Sequence, residues 1–292
     1  MLKISFIGLG RMGLPMALNL HQAGFDVLAF DQVASALVCF ENLGGKVTKD
    51  LRTLATHADI VISMLPSSAN VFEYYAPDSV FLKALKANIW LIDCSTIGPI
   101  ASTHWHQQLA DFKCIDAPVS GGVTAAAAGT LSFMLGTNQK NIDYCRPVFS
   151  AMGNHIVEIG AASLGQAAKI CNNLVLANTM LAVSEAFVLA EALHLPATAL
   201  KTVLELSSGQ SWVVNHYLPV PGLLPQSPAS HAYKPGFSSK MMLKDLNLAQ
   251  EVELHAELEL PLSNTTLSIY QEMIDSGMGE LDFSSIFAYL QS

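Results

Sequence analysis

The chain predicts an α/β fold: an N-terminal Rossmann-type doubly wound parallel sheet, followed by an all-α C-terminal region, the two joined by a long central helix. Three observations carry this. Residues 2–13 run from a short apolar strand directly into Gly8-x-Gly10-x-x-Gly13 and a helical pattern. Apolar strands then recur at 27–30, 60–64, 90–93, 113–116 and 131–135, separated by helical segments. From Ser163 the alternation stops and long helices follow, which divides the 292 residues into domains 1–162 and 163–292. A hydrophobic fraction of 51% supplies two cores.

The opening element is a dinucleotide site. Gly8 allows the tight turn, Gly10 leaves room for a pyrophosphate to approach the backbone, and Gly13 lets helix and strand pack closely. Leu9, Arg11 and Met12 fill the positions between them. The phosphates then sit on a helix N-terminus, where backbone N–H groups and the dipole favour an anion. Asp31 closes the next strand and is placed to accept hydrogen bonds from ribose hydroxyls; Gln32 follows and no arginine is at hand for a 2′-phosphate, so NAD is expected over NADP.

Later strands end in polar turns, Met64-Leu65-Pro66-Ser67-Ser68 and Asp93-Cys94-Ser95-Thr96, which in an open α/β sheet border the ligand. Asp116-Ala-Pro-Val-Ser120-Gly121-Gly122 follows another strand. Its successive N–H groups from Ser120 to Gly122 suit a substrate carboxylate, although a merely permissive glycine turn fits as well. Gly165-Gln-Ala-Ala-Lys169-Ile-Cys-Asn172-Asn173 opens the central helix, expected over 163–193. Lys169 and Asn173 are four apart and share one helix face. A lysine in an otherwise buried helix is costly unless it meets a cavity or partner, and desolvation depresses its pKa toward use as a proton acceptor; the alternative is an ammonium that reaches solvent along its stem. Further helices are expected near 197–207, 239–257, 261–276 and 283–290. Between the first two lies an irregular Pro/Gly stretch from Tyr217, which with Trp212 is either a linker or a wall over a pocket. Lys244-Asp245, at helical spacing from Lys240, looks like an exposed charged face.

Composition excludes several classes. A formal charge of −9 and the absence of a basic stripe argue against nucleic acid. The arginines are Arg11, Arg52 and Arg146, so the second half has no guanidinium fork for a phosphorylated substrate. Five cysteines without C-x-x-C fit reduced thiols, and the nine histidines show no ligand spacing, so no metal is expected and the histidines are assigned to surface or packing. The apolar run 170–193 is interrupted by Asn172, Asn173, Asn178, Glu185 and Glu191, which favours a helix buried between protein surfaces over a membrane span. With the first strand starting almost at Met1, a cytoplasmic setting is expected.

Together the stretches F-I-G-L-G-R-M-G-L-P-M-A-L-N-L, D-A-P-V-S-G-G, G-Q-A-A-K-I-C-N-N and K-D-L resemble the β-hydroxyacid dehydrogenases across essentially the whole chain. S-S-G-Q-S-W, Y-L-P-V-P-G and D-F-S-S-I-F resemble the branch acting on 3-hydroxyisobutyrate. Ser132 and Thr137 depart from the threonine and glycine common there. The resemblance implies an NAD-dependent enzyme that oxidises a small 3-hydroxy monocarboxylate, 3-hydroxyisobutyrate to methylmalonate semialdehyde in valine catabolism, and assembles as homodimers or homotetramers. It implies that Leu65, Pro66, Asn70 and Thr96 line the cofactor and that Lys244 approaches it. Ser120, Gly121, Gly122 and Asn173, with Trp212 near them, would bind substrate, and Lys169 would be catalytic. Rival readings are a sister enzyme acting on tartronate semialdehyde or glyoxylate and a non-catalytic cofactor-binding protein, the latter disfavoured by Lys169. A decarboxylating phosphogluconate enzyme is discouraged by length and the missing arginines.

Overall fold

A computed structural model describes residues 1–292. The chain runs β1 (Lys3–Ile7), α1 (Gly13–Gln22), β2 (Asp26–Phe30), α2 (Ala34–Asn42), β3 (Lys46–Val47), α3 (Leu51–His57), β4 (Ile60–Ser63), α4 (Ser68–Tyr75) and α5 (Val80–Ala84). It continues through β5 (Trp90–Asp93), α6 (Pro99–Gln108), β6 (Lys113–Asp116), β7 (Val119–Ser120), α7 (Gly122–Ala128), β8 (Leu131–Gly136), α8 (Arg146–Met152) and β9 (Gly153–Gly160). The central strands are buried on both faces, as crossover helices require. Ile4, Phe6, Ile62 and Ile92 pack on one side with Met16 and Leu20 of α1 and Phe149 of α8. Ile7, Val61 and Leu91 pack on the other with Leu54 of α3, Tyr75 of α4 and Trp105 of α6. The period of two along each strand thus feeds two cores from one sheet.

The strand order is β3-β2-β1-β4-β5-β6-β8-β7, with β9 also paired to β8. From β3 to β6 every pairing is parallel, and the order reverses between β1 and β4, where such sheets bind ligands. The parallel pattern expected through 131–135 ends there: β8 runs antiparallel to β6 and β7 and parallel to β9. The cause is connection length. Only the seven-residue α7, between Gly121 and a left-handed Gly129, links β7 to β8, which is too short for a parallel crossover.

By contacts the chain divides into two compact units, Met1–Lys169 and Ile170–Ser292. The division falls inside α9 (Leu164–Ala192), a continuous 29-residue helix. The second unit holds α10 (Ala197–Leu206), α11 (Trp212–His216), α12 (Ser239–His255), α13 (Pro261–Met273) and α14 (Ile286–Leu290), and no strand. Its core gathers Met180 and Phe187, Val213 and Val214, Met242 and Leu246, Tyr270 and Phe283. The Pro/Gly stretch is tied down by Asp282, whose Oδ2 accepts from the Tyr217 hydroxyl and from the N–H groups of Gly236 and Phe237, while Oδ1 accepts from Ser284. Burial raises the Asp282 carboxyl above its usual range, and these donors pull it back. By length and composition α9 could cross a membrane, and 44% of its most apolar window is buried. That is less complete than the burial expected from its sequence.

Candidate active site

The glycine loop divides its labour as the spacing requires. Gly8 has φ +96°, and a Cβ there would strike the Met64 carbonyl; one on Gly13 would strike the Gly8 carbonyl. A Cβ on Gly10 would meet nothing within 4 Å. Two glycines therefore let protein pack on protein, and the third opens outward. No side chain caps α1, and its first turn carries no acid that would compete with an anion. Asp31 braces the loop from the end of β2: Oδ2 accepts from the Leu9 N–H at 2.6 Å and Oδ1 from the Val33 N–H at 2.7 Å. Loop, uncapped helix and braced carboxylate fit a dinucleotide, for which Gly8 to Gly13 would hold the pyrophosphate and Asp31 the ribose. Arg11 is exposed and Met12 half-buried beside it.

Leu65 and Pro66 leave β4 in the next turn along the sheet, and the Leu65 N–H donates to Ser95 Oγ at 2.9 Å. Asn70 serves first as part of a helix cap, its N–H donating to Ser67 Oγ and its Oδ1 accepting from that hydroxyl. Beneath them Asp93 is fully buried, and its Oδ1 accepts from Ser63 Oγ, Ser95 Oγ and the Ser95 N–H. Its Oδ2 has no hydrogen-bond partner. Burial pushes this carboxyl up to about 6 against the pull of the serine donors, and the charge of Asp116 adds a little.

Asp116 opens the next motif and is fully buried. Its Oδ1 accepts from the Ser163 N–H at 2.7 Å and its Oδ2 from the Gln166 N–H at 2.9 Å, so a strand carboxylate caps α9 from a distance in sequence. His106 Nε2 lies 2.8 Å from Oδ1. The ring packs edge-on against Trp105, as a packing histidine does, and in addition faces the buried carboxylate. Gly165 is required here, since a Cβ would lie 2.8 Å from the Asp116 carbonyl. Beyond Asp116, Gly121 and Gly122 have φ +128° and +69°, and Gly122 opens on free space.

Lys169 lies one turn into α9 and is 9% exposed. One turn further Asn173 is 3% exposed, and its amide N–H₂ donates to Asp245 Oδ2 while its Oδ1 accepts from Asn172. Asp245 also holds Lys244, Nζ to Oδ1 at 3.1 Å. The exposed charged face expected at Lys244-Asp245 is corrected accordingly: Asp245 is buried and links Lys244 to Asn173, because α12 turns that side toward its own unit. Trp212 stacks on Tyr217 at 5.4 Å and stays about half exposed, in a separate cluster of the second unit. Asp116, Gln166, His106 and Asp245 receive no functional role from the sequence alone. The Asp116 cap and the Gln166–Ser95 and Asn173–Asp245 bonds join segments 47, 71 and 72 residues apart, whereas His106 lies ten residues from Asp116.

A profile described as the NAD binding domain of 6-phosphogluconate dehydrogenase matches residues 3–160. One described as NAD-binding of NADP-dependent 3-hydroxyisobutyrate dehydrogenase matches 163–290. The chain is 40% identical to a NAD-dependent L-serine dehydrogenase of Pseudomonas aeruginosa, over 98% of this chain and 97% of that protein. It is 38% identical to human mitochondrial 3-hydroxyisobutyrate dehydrogenase, over 99% of this chain and 86% of that one. A Mycobacterium tuberculosis 3-hydroxyisobutyrate dehydrogenase solved with L-serine superposes with a TM-score of 0.93 at 40% identity, covering both chains fully. With both segments matched in order and relatives aligned end to end, the chain belongs to the β-hydroxyacid dehydrogenase family, the NAD-dependent oxidoreductases that include 3-hydroxyisobutyrate dehydrogenase.

Proposed function

We propose that the protein oxidises 3-hydroxyisobutyrate to methylmalonate semialdehyde and that Lys169 carries the hydroxyl proton. The observation that carries this reading is a nearly buried lysine one turn into α9, on a helix start pinned by Asp116 and Gln166. Lys169 Nζ, neutral, takes the hydroxyl proton as the carbonyl forms, and returns it in the reverse direction. NAD⁺, when bound, accepts the hydride. The N–H groups from Ser120 to Gly122 hold the carboxylate. Asn173 spends one amide N–H on Asp245 and has a second with which to orient the substrate hydroxyl.

L-serine is a second reading, favoured by the Pseudomonas relative and by the mycobacterial structure solved with it. It has the same 3-hydroxy acid frame with an ammonium where 3-hydroxyisobutyrate has a methyl. An ammonium requires a polar acceptor, and an apolar wall that suits the methyl would leave that charge desolvated and unpaired. Measuring kcat/KM for oxidation of 3-hydroxyisobutyrate, L-serine and glycerate, the alcohol that corresponds to tartronate semialdehyde, with NAD⁺ and NADP⁺ decides the matter. 3-Hydroxyisobutyrate with NAD is expected to lead, and a clear lead for L-serine would replace the proposed substrate. NAD preference rests on Asp31, which also holds Leu9 and Val33, so Asp31→Ala should weaken binding of either cofactor as well as narrow the preference.

A homo-oligomer in the cytoplasm belongs to the same reading. Val175 and Leu189 of α9 are 63% and 60% exposed, an apolar stripe that a second copy would cover. Light scattering at micromolar concentration should find a dimer or larger assembly, and a monomer would remove this part.

A further inference from the structure

Gln166 is fully buried and spends every side-chain hydrogen-bonding group but one N–H on a single loop. Its Oε1 accepts from the N–H groups of Ile97 at 3.0 Å and Gly98 at 3.2 Å, and its Nε2 donates to the Ser95 carbonyl at 2.7 Å. Thr96 lies inside that loop, and Ser95 in turn holds the Leu65 N–H. The backbone N–H of Gln166 goes to Asp116. One turn later on the same helix comes Lys169. An amide suits this loop at every pH: two backbone donors face one backbone acceptor, and a primary amide presents the complementary acceptor and donor on one planar group.

We infer that Gln166 is a positioning residue that locks the cofactor-lining loop at Thr96 and the proton carrier Lys169 into one frame, so that the group accepting hydride and the group accepting the proton are set relative to each other before substrate arrives. This rests on the reading of Lys169 given above. Misplacement of reacting groups by about 1 Å costs on the order of 100-fold in rate, and Gln166 is the only side chain that bonds the loop at three backbone positions.

Gln166→Glu and Gln166→Met test this, assayed well below their melting temperatures with NAD⁺ and 3-hydroxyisobutyrate or L-serine, whichever the parent prefers. Gln166→Met leaves the three backbone groups without partners and should lower kcat about 10- to 100-fold while raising KM for NAD⁺. Gln166→Glu is the sharper variant. Protonated, the introduced carboxyl offers one acceptor and one O–H donor, as the amide does; ionised, it turns an acceptor on the Ser95 carbonyl. Burial, with Asp93 and Asp116 close by at the ends of β5 and β6, raises the pKa of that carboxyl. Activity of Gln166→Glu relative to parent should therefore be highest at low pH and fall as pH rises. A lysine or loop merely stabilised by Gln166 would not produce that slope.

Parent values of kcat and KM in both variants, with only the melting temperature lowered, overturn the inference. If Gln166→Met does not fold, the Gln166→Glu ratio decides alone, and a flat ratio at parent level overturns it. Lys169→Ala run in parallel keeps the two readings apart. Near-parent turnover there removes the proton-carrier reading, whereas raised KM for NAD⁺ in the Gln166 variants still reports the hold on Thr96.

Discussion

Helix α1 begins at a residue whose side chain caps nothing, behind a glycine whose missing Cβ would meet open space. Helix α9 begins under a buried carboxylate that takes the N–H groups of Ser163 and Gln166, and its second residue is a glycine whose missing Cβ would collide with β6 and β8. Both starts border the carboxyl ends of strands in one sheet, and they serve opposite ends. Donors left without a protein acceptor at α1 are available to an anion that comes and goes. Donors consumed at α9 fix the helix, and with it a lysine one turn on, at the cost of being useless to a ligand. The difference teaches that a binding start and a positioning start can be told apart by asking which backbone donors the protein has already used.

The largest effect should come from emptying the filled start. Asp116→Ala leaves the Ser163 and Gln166 N–H groups and the His106 ring without their acceptor, and an unmade buried hydrogen bond costs about 1–3 kcal/mol. Denaturant unfolding should show a loss of several kcal/mol, with Asp116→Asn losing less. A loss below about 1 kcal/mol, within the range of an ordinary surface change, would mean that α9 does not depend on this cap.

Next comes the neighbour of Asp116 across the sheet. Asp93 pairs with it in register, yet one of its oxygens has no partner. Its carboxyl is raised from 3.8 to about 6, so the folded state holds the proton more tightly than the unfolded state. The stabilisation is fully present below pH 3.8 and is lost as pH rises through about 6. The shift corresponds to about 3 kcal/mol at 1.36 kcal/mol per pKa unit. Melting curves of the parent and Asp93→Asn from pH 4 to 8 should converge at the acidic end and favour the variant at the alkaline end. Parallel curves would show that Asp93 does not titrate in this window.

The open start gives a smaller contrast within one loop. Gly13→Ala should cost about 1–3 kcal/mol, the usual range for overpacking, because its Cβ meets the Gly8 carbonyl. Gly10→Ala should leave stability within about 0.5 kcal/mol and weaken NAD binding instead, as read by titration calorimetry. Equal stabilities, or unchanged NAD affinity in Gly10→Ala, would break the assignment of these glycines.

The glycine loop, Asp31 and the first turn of α9 were legible in the sequence because each is a local pattern: a fixed spacing, a strand end, a change of period. The helices near 197–207 and 239–257 were legible for the same reason. Three short or edge strands, β3, β7 and β9, were not, since two residues show no period and β9 is largely exposed. Gln166 sat inside a quoted motif without a role, and Asp116 was visible only as the start of a turn. Apart from His106, ten residues from Asp116, their partners lie 47 to 71 residues away, and no spacing in the sequence encodes such a distance. His106 packs as its surroundings suggest, but helical spacing tells which side a ring leaves by and not which carboxylate waits there. Asp245 looked exposed because an i, i+4 charge pattern is the usual mark of a solvated face, and α12 buries that face instead.

Replacing Lys169 tests the central claim most directly. Arginine keeps the positive charge but cannot be deprotonated in a protein. Lys169→Arg and Lys169→Ala should both lower kcat for hydroxyacid oxidation by about 10²–10⁴-fold, with NAD affinity within a few-fold of the parent. A substrate deuterium isotope effect on kcat establishes that chemistry limits the rate. Near-parent oxidation by Lys169→Arg under that condition would contradict the claim and leave Lys169 as an anchor for the substrate anion.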